Sequence, residues 1–230
     1  MKKLFLLLAA VGIIFTACEQ SGLEEENGNN NNQTEQPGVV NGHLSELNKI
    51  YYTTSNGMKL FPNSTDPTSF GAVLVSNIYE NGQGVLTFDD AITHIGNEAF
   101  YWCTSLTSVT IPNSVTSIGN EAFYLCTLLT SITIPDSVTW IGSNAFQSCS
   151  SLTSVTIGNS VTKIGGYAFY NCSSLKEVYC KPTTPPAGSS DMFDNNASDR
   201  KIYVPRASVD AYKSAKNWST YADAIVGYDF

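Results

Sequence analysis

Val115-Thr-Ser-Ile118-Gly-Asn-Glu-Ala122-Phe123-Tyr-Leu-Cys126-Thr-Leu-Leu129-Thr-Ser-Ile132-Thr-Ile134-Pro-Asp-Ser137 is one unit of a pattern that recurs every 23 residues. Units open at Ile92, Val115, Val138 and Val161. The columns are nearly invariant: Ile95/Ile118/Ile141/Ile164, then Gly96/Gly119/Gly142/Gly165, then Ala-Phe at 99–100, 122–123, 145–146 and 168–169. Cys103/Cys126/Cys149/Cys172 and Leu106/Leu129/Leu152/Leu175 follow. A fixed period of this length means stacked units, each burying its apolar face against its neighbours.

Within the unit, Ser131-Ile132-Thr133-Ile134 alternates polar and apolar with β-branched residues and predicts a half-buried strand, ended by Pro135 and a turn at Asp136-Ser137. Val115 and Ile118 return to the core. Asn120 to Tyr124 predicts one short helical turn that buries Ala122 and Phe123, with Gly119 permitting tight backbone beside it. Helical turns are wider than strands, so the stacked strands should form a parallel sheet on a concave side.

The combination L-x-x-[VI]-x-I and I-G-x-x-A-F-x-x-C resembles the BspA-like leucine-rich repeats of bacterial surface proteins, over all four units. The resemblance implies an α/β, right-handed leucine-rich-repeat solenoid: a parallel concave sheet, short helical turns on the convex side, and N- and C-terminal caps. Relatives bind host matrix proteins or mediate attachment. Ile50–Ser55, Gly71–Asn77 and Gly84–Phe88 look like the family's lead-in and read as two or three short strands covering the first repeat. At the other end, Ile202-Tyr203-Val204-Pro205 reads as a last strand. Ser208 reads as the N-cap of a helix from Val209 to about Lys216, with Val209, Tyr212, Ala215 and Trp218 on its apolar face. In the loop 182–196, Met192-Phe193 stands for the repeated Ala-Phe.

Residues 1–17 read as a leader: Lys2-Lys3, an apolar run from Leu4 to Phe15 too short to span a bilayer, then Phe15-Thr16-Ala17-Cys18 as a lipobox. Lipid on Cys18 would hold the mature chain at a membrane; the alternative is an ordinary cleaved leader with a chance cysteine. Glu19 to Gln36, with Glu24-Glu25-Glu26 and Asn29–Asn32, has almost nothing to bury and reads as a tether. Its acids resemble the export signals of surface-exposed lipoproteins in some anaerobic bacteria, though a solvated spacer explains them equally. The expected organisation is therefore leader 1–17, tether 18–45, N-terminal cap 46–91, four repeats 92–181 and C-terminal cap 182–230. The setting is an outer-membrane lipoprotein exposed at the cell surface.

The formal net charge is −8, and loss of Lys2 and Lys3 makes it more negative. An acidic chain without a basic cluster is a poor nucleic-acid binder, and an anionic membrane would repel it, so lipid would be its sole membrane attachment. Of six cysteines, Cys18 is assigned to lipid, and four form a ladder of one per repeat. A line of cysteines is not a tetrahedral metal site. Rungs about 4.8 Å apart miss the Cβ separation of a disulfide by a little, so buried thiols are expected, with a disulfide the alternative. Cys180 occupies the column of Ile111, Ile134 and Ile157.

Catalytic chemistry is hard to find. His43 and His94 have no partner in matching columns, and His94 shares its column with Ser117, Trp140 and Lys163, which marks it as solvent-facing. Asp89-Asp90 reads as a turn rather than a Ca²⁺ fragment. No enzyme, metal or cofactor is expected. Two surfaces stand out. The outward sheet face should carry Ser108, Thr110, Ser131, Thr133, Ser154, Thr156, Glu177 and Tyr179, suited to an extended partner or a glycan, or simply to solubility. The convex side should carry a row of Tyr101, Trp102, Tyr124, Leu125 and Tyr170, either a contact surface or a cover for the core. The reading is a monomeric surface module that binds host or matrix protein. The alternatives are a glycan-binding surface protein and a structural envelope protein without a soluble ligand.

Overall fold

The structure, a computed structural model, describes residues 44–63 and 67–230. The leader, Cys18, His43 and all of the tether but residues 44 and 45 lie outside the described residues. Strands β1 (Lys49–Thr54), β2 (Leu74–Glu80) and β3 (Gln83–Phe88) form an antiparallel sheet ordered β2-β3-β1. β1 also pairs antiparallel with β5 (Leu106–Val109), the strand of the first repeat. Two short helices, α1 (Leu44–Leu47) and α2 (Pro67–Phe70), flank this part.

From there the repeats stack in register. β7 (Ser131–Ile134), β9 (Ser154–Ile157) and β11 (Glu177–Cys180) pair in parallel, with Ile132 beside Val155 and Val155 beside Val178. The Thr130 amide donates to Thr107 O at 3.3 Å and joins β7 to β5. Alternation works as the sequence predicts: Ile132, Ile134, Val155, Ile157, Val178 and Cys180 are buried, and the intervening side chains face out.

The other flank differs from expectation. Among the described residues, no helix lies between 92 and 181. Instead His94–Ile95 (β4), Ser117–Ile118 (β6), Trp140–Ile141 (β8) and Lys163–Ile164 (β10) make a second parallel sheet. Beyond each, the expected helical turn is broken by left-handed residues four apart, such as Glu121 (φ 56°) and Leu125 (φ 58°). A right-handed helix cannot run through such residues. The amides released from helix bonding reach the next repeat: Glu121 N to Ser143 O (2.9 Å), Phe123 N to Ala145 O (2.7 Å) and Leu125 N to Gln147 O (2.9 Å). The wedge argument for a concave sheet fails with the helices. Adjacent Phe rings on this flank are 5.1 Å apart, close to the ~4.8 Å spacing of paired strands.

The glycine column serves this close stacking rather than a special backbone angle. None of the four has positive φ, yet a Cβ on Gly142 would lie 2.5 Å from Asn120 N and Gly119 C of the preceding repeat. Down the centre, Phe100, Phe123, Phe146, Phe169 and Phe193 stack face to face at 5.1–5.3 Å. Phe70 meets Phe88 and Phe100 edge-on or tilted and ties the antiparallel sheet to this column. Phe193 extends the column as Met192-Phe193 predicts, and both are fully buried.

Three of the four cysteines in the column are hydrogen-bond donors; Cys103 is disulfide-bonded. Cys126, Cys149 and Cys172 are free and buried, and their Sγ atoms donate to Phe100 O, Phe123 O and Phe146 O at 3.1–3.2 Å. Cys103 is buried in the same column. Burial pushes the Cys126 and Cys149 thiols well up and Cys180 up to about 12. Two results follow. Native protein at pH 8 is expected to show little reaction of Cys126, Cys149, Cys172 or Cys180 with a thiol reagent until denaturant is added; full native labelling within minutes would contradict this packing. Above about pH 9, the unfolded chain releases thiol protons that the folded chain keeps, so stability is expected to fall with rising pH. Urea midpoints at pH 8 and pH 10 measure the loss.

After β11 the stack continues further than the sequence reading has it. β12 (Lys201–Pro205) pairs parallel with β11, and a further strand, β13 (Ile225–Tyr228), pairs parallel with β12. Ile202-Tyr203-Val204-Pro205 is thus not the last strand. The helix is α3 (Val209–Ser214), shorter than expected. Ser208 is not its side-chain cap: its Oγ donates to Thr183 O at 2.8 Å, anchoring the preceding turn to the loop below. Tyr212 and Trp218 are fully buried and meet edge to face. Tyr212 spends its proton on Pro182 O (2.8 Å), so the Cys180 thiol, 3.4 Å away, donates to the phenol oxygen.

Candidate functional site

The outward faces of β7, β9, β11, β12 and β13 form a continuous display of side chains on one five-stranded parallel sheet, with β5 alongside β7. Ser131, Ser154, Glu177 and Lys201 share one register line, and Thr133, Thr156, Tyr179 and Tyr203 share the next. Ser108 and Thr110 belong to the same columns but are tied to β1. Ser108 Oγ and Thr53 Oγ1 are 2.6 Å apart, and Thr110 Oγ1 accepts from Tyr51 N at 3.0 Å. The open face therefore begins at β7.

Flanking threonines are used up within the stack. Thr116, Thr139 and Thr162 hydroxyls each donate to the carbonyl one repeat back, at 3.0–3.2 Å, and Thr153 does the same at 3.0 Å. By contrast, the hydroxyls of Ser131, Thr133, Ser154 and Thr156 have no protein partner among the described residues. Their hydrogen bonds go to water or to whatever replaces it.

At the β11–β13 end the face turns aromatic. Tyr179 stacks on Tyr203 with centroids 4.8 Å apart and planes 16° apart. Tyr228 meets both edge-on at 5.4 and 5.5 Å, and Phe230 meets Tyr228 at 5.0 Å. Tyr228 and Phe230 are 40% and 52% exposed, high for such rings. A shallow cavity of about 350 Å³ opens beside them, lined by Thr156, Tyr179, Lys181, Tyr228, Asp229 and Phe230. Burial, then the nearby Glu177 carboxylate, raises the Tyr179 phenol above its ordinary range. The charges here are paired: Lys181 Nζ with Asp136 Oδ1 at 3.5 Å, and Arg206 with Asp229 through two bonds of 3.1 and 2.7 Å. The guanidinium holds the Asp229 carboxyl below the usual carboxylate range.

Of these groups, Tyr203, Tyr228 and Phe230 escape the sequence reading. The signal for them is an interval: Ile202 and Ile225, partners in β12 and β13, keep the 23-residue spacing after the column residues have been lost.

On the opposite flank, Tyr101 stacks on Tyr124 at 5.0 Å, and Trp102 lies 6.3 Å from Tyr101. Gln147 then interrupts the row, so Tyr170 is separated from these rings and pairs instead with Tyr167 at 5.2 Å. Leu125 follows Tyr124 at a left-handed position.

The candidate acid–base residues are structural in their contacts. His94 Nε2 lies 2.7 Å from Thr68 O and Nδ1 lies 3.1 Å from Thr93 Oγ1, so the ring ties the first repeat to α2 rather than facing freely into solvent. Asp89 Oδ1 accepts from Val73 N and Asp90 Oδ1 from Ala91 N, at 2.8 and 2.7 Å, as turn carboxylates do. Among the described residues, no group of three or more His, Cys, Asp or Glu is placed to hold a metal ion.

The BspA type leucine-rich repeat region, as a family model, matches residues 86–215 in six copies, more than half of the chain. The chain belongs to the BspA-type leucine-rich-repeat family. The six copies exceed the four units that the regular columns reveal, and the match takes in β12 but ends before β13. Leucine-rich-repeat proteins are generally non-enzymatic binding modules, and those of BspA type are typically found at the surface or secreted. Two solved structures are similar. One is the T. pallidum leucine-rich-repeat protein, at 31% identity and a TM-score of 0.44, covering 51% of this chain and 53% of that one. The other is a leucine-rich-repeat protein from Bacteroides ovatus, at 21% identity and a TM-score of 0.39, covering 74% of this chain and 55% of that one. The BspA-type chain thus spans little more than half the length of either. No curated protein matches it. No helix among the described residues is long and apolar enough to cross a membrane.

Proposed function

We propose that this chain is a monomeric cell-surface lipoprotein, anchored through Cys18, whose outward sheet face binds a host or matrix protein. The observation that carries the reading is the set of unspent hydroxyls at Ser131, Thr133, Ser154 and Thr156, on a face where neighbouring threonine columns are bonded within the stack. A face of this kind offers hydrogen bonds to an extended partner at little desolvation cost. The antiparallel sheet β1–β3 and the α3 segment act as caps, shielding the apolar ends of the stack in the manner that repeat arrays require. The tether before α1 holds the module clear of the outer membrane.

The test pairs Ser131→Arg with Thr133→Arg. Both side chains are exposed, so the melting temperature is expected to change by less than about 2 °C. Retention on immobilised extracellular-matrix proteins is expected to drop at least tenfold. Undiminished retention would remove this face from the function. Protease digestion of the protein on intact cells, with a periplasmic control left whole, checks the display, and Cys18→Ala should release the protein from the membrane fraction.

A further inference from the structure

We propose that the cavity between Thr156 and the Tyr179–Tyr228–Phe230 cluster is a binding site for one or two pyranose rings of a neutral saccharide. The shape comes from a step in one register column. Thr133 and Thr156 are small, whereas Tyr179 and Tyr203 are large, and all four stand in line across β7, β9, β11 and β12. Tyr179 has one ring face covered by Tyr203. Its other face looks over the shorter Thr156 and becomes the wall of the recess, with Tyr228 and Phe230 closing a side.

The chemistry of the lining selects the ligand class. An aromatic face carries partial negative charge and attracts the weakly positive C–H groups of a sugar ring. The charged groups that line the recess are already matched: Lys181 with Asp136, and Asp229 with Arg206. A charged ligand finds no uncompensated partner here. Matched pairs still present hydrogen-bonding capacity, because each Asp229 oxygen accepts one bond from Arg206 and keeps a lone pair. Lys181 Nζ and the unspent Thr156 hydroxyl add donors. A volume of about 350 Å³ lies at the small end of ligand sites, which suits one or two rings rather than a long chain. A protein anchor would need deeper burial than a one-ring step offers.

The experiment uses the full chain and a panel of neutral oligosaccharides (maltohexaose, laminarihexaose, cellohexaose and mannohexaose), titrated by calorimetry beside hexagalacturonate as an acidic control. At least one neutral hexamer is expected to bind, and hexagalacturonate at least tenfold more weakly. Tyr179→Ala is expected to reduce the neutral binding at least tenfold. Because that variant also removes packing against Tyr203, Thr156→Tyr is the second: it fills the recess by extending the tyrosine stack by one ring, so it should keep the melting temperature and lose saccharide. Binding of no neutral hexamer, tighter binding of hexagalacturonate, or full binding by folded Thr156→Tyr would each overturn the proposal. The recess shares Thr156 with the protein-binding face, and the two readings are told apart because Ser131→Arg with Thr133→Arg should cut protein binding at least tenfold but leave saccharide binding within twofold.

Discussion

Gly165→Ala is expected to destabilise the protein by roughly 3 kcal/mol or more, while Gly166→Ala, one residue on, is expected to be neutral or stabilising by up to about 1 kcal/mol. The two glycines are adjacent, and neither has positive φ, so conformational freedom does not separate them. Space does. A Cβ on Gly165 would fall against Ser143 N and 2.5 Å from Gly142 C, both backbone atoms of the preceding repeat. Backbone held by its own ladder cannot swing aside as a side chain can. A Cβ on Gly166 meets nothing closer than 3.8 Å. For a chain of this size the Gly165 change corresponds to a drop in melting temperature of roughly 6–12 °C. Equal melting temperatures for the two variants would show that the repeats stack less closely at this column.

Phe146→Ala is the second large effect, expected at about 3–5 kcal/mol. Phe146 is fully buried between Phe123 and Phe169, at 5.1 Å from each and nearly parallel to both. The cavity cannot close by a shift of its neighbours. Each flanking ring is fixed by backbone bonds to adjacent repeats, such as Phe123 N to Ala145 O and Phe169 N to Met192 O. Repeat arrays are stabilised by contacts between neighbours, so losing the middle ring should uncouple the units on either side. Urea unfolding is expected to shift to a lower midpoint and to broaden or split, because the halves no longer unfold together. A loss below about 1 kcal/mol with a single sharp transition would mean that the ring stack contributes little.

These two cases show how the sequence and the structure divide the explanation. Alternation in Ser131-Ile132-Thr133-Ile134 determines which side chains are inside, because a strand turns successive residues to opposite faces. The 23-residue recurrence places like residues over like residues, so the Phe and Cys columns follow once stacking is assumed. What lies between the columns was not legible in the same way. Asn120-Glu121-Ala122-Phe123-Tyr124 has reasonable helix propensity, yet left-handed Glu121 and Leu125 and the bonds to the next repeat override it. Such bonds exist only when the neighbouring unit is present, and local sequence carries no trace of them.

The aromatic site was hidden for a related reason. Tyr179 is visible as the outward residue of β11, but Tyr203, Tyr228 and Phe230 come to it through pairings that the degenerate C-terminal units do not announce. By itself the sequence determined the period, the inward and outward residues of each strand and the family, because these depend on spacing along the chain. Only the tertiary structure decided the strand-built second flank, the reason for the glycines, the carbonyl partners of the thiols and the recess beside Tyr179. Those depend on distances between repeats of a few ångströms, set by how neighbouring backbones pack.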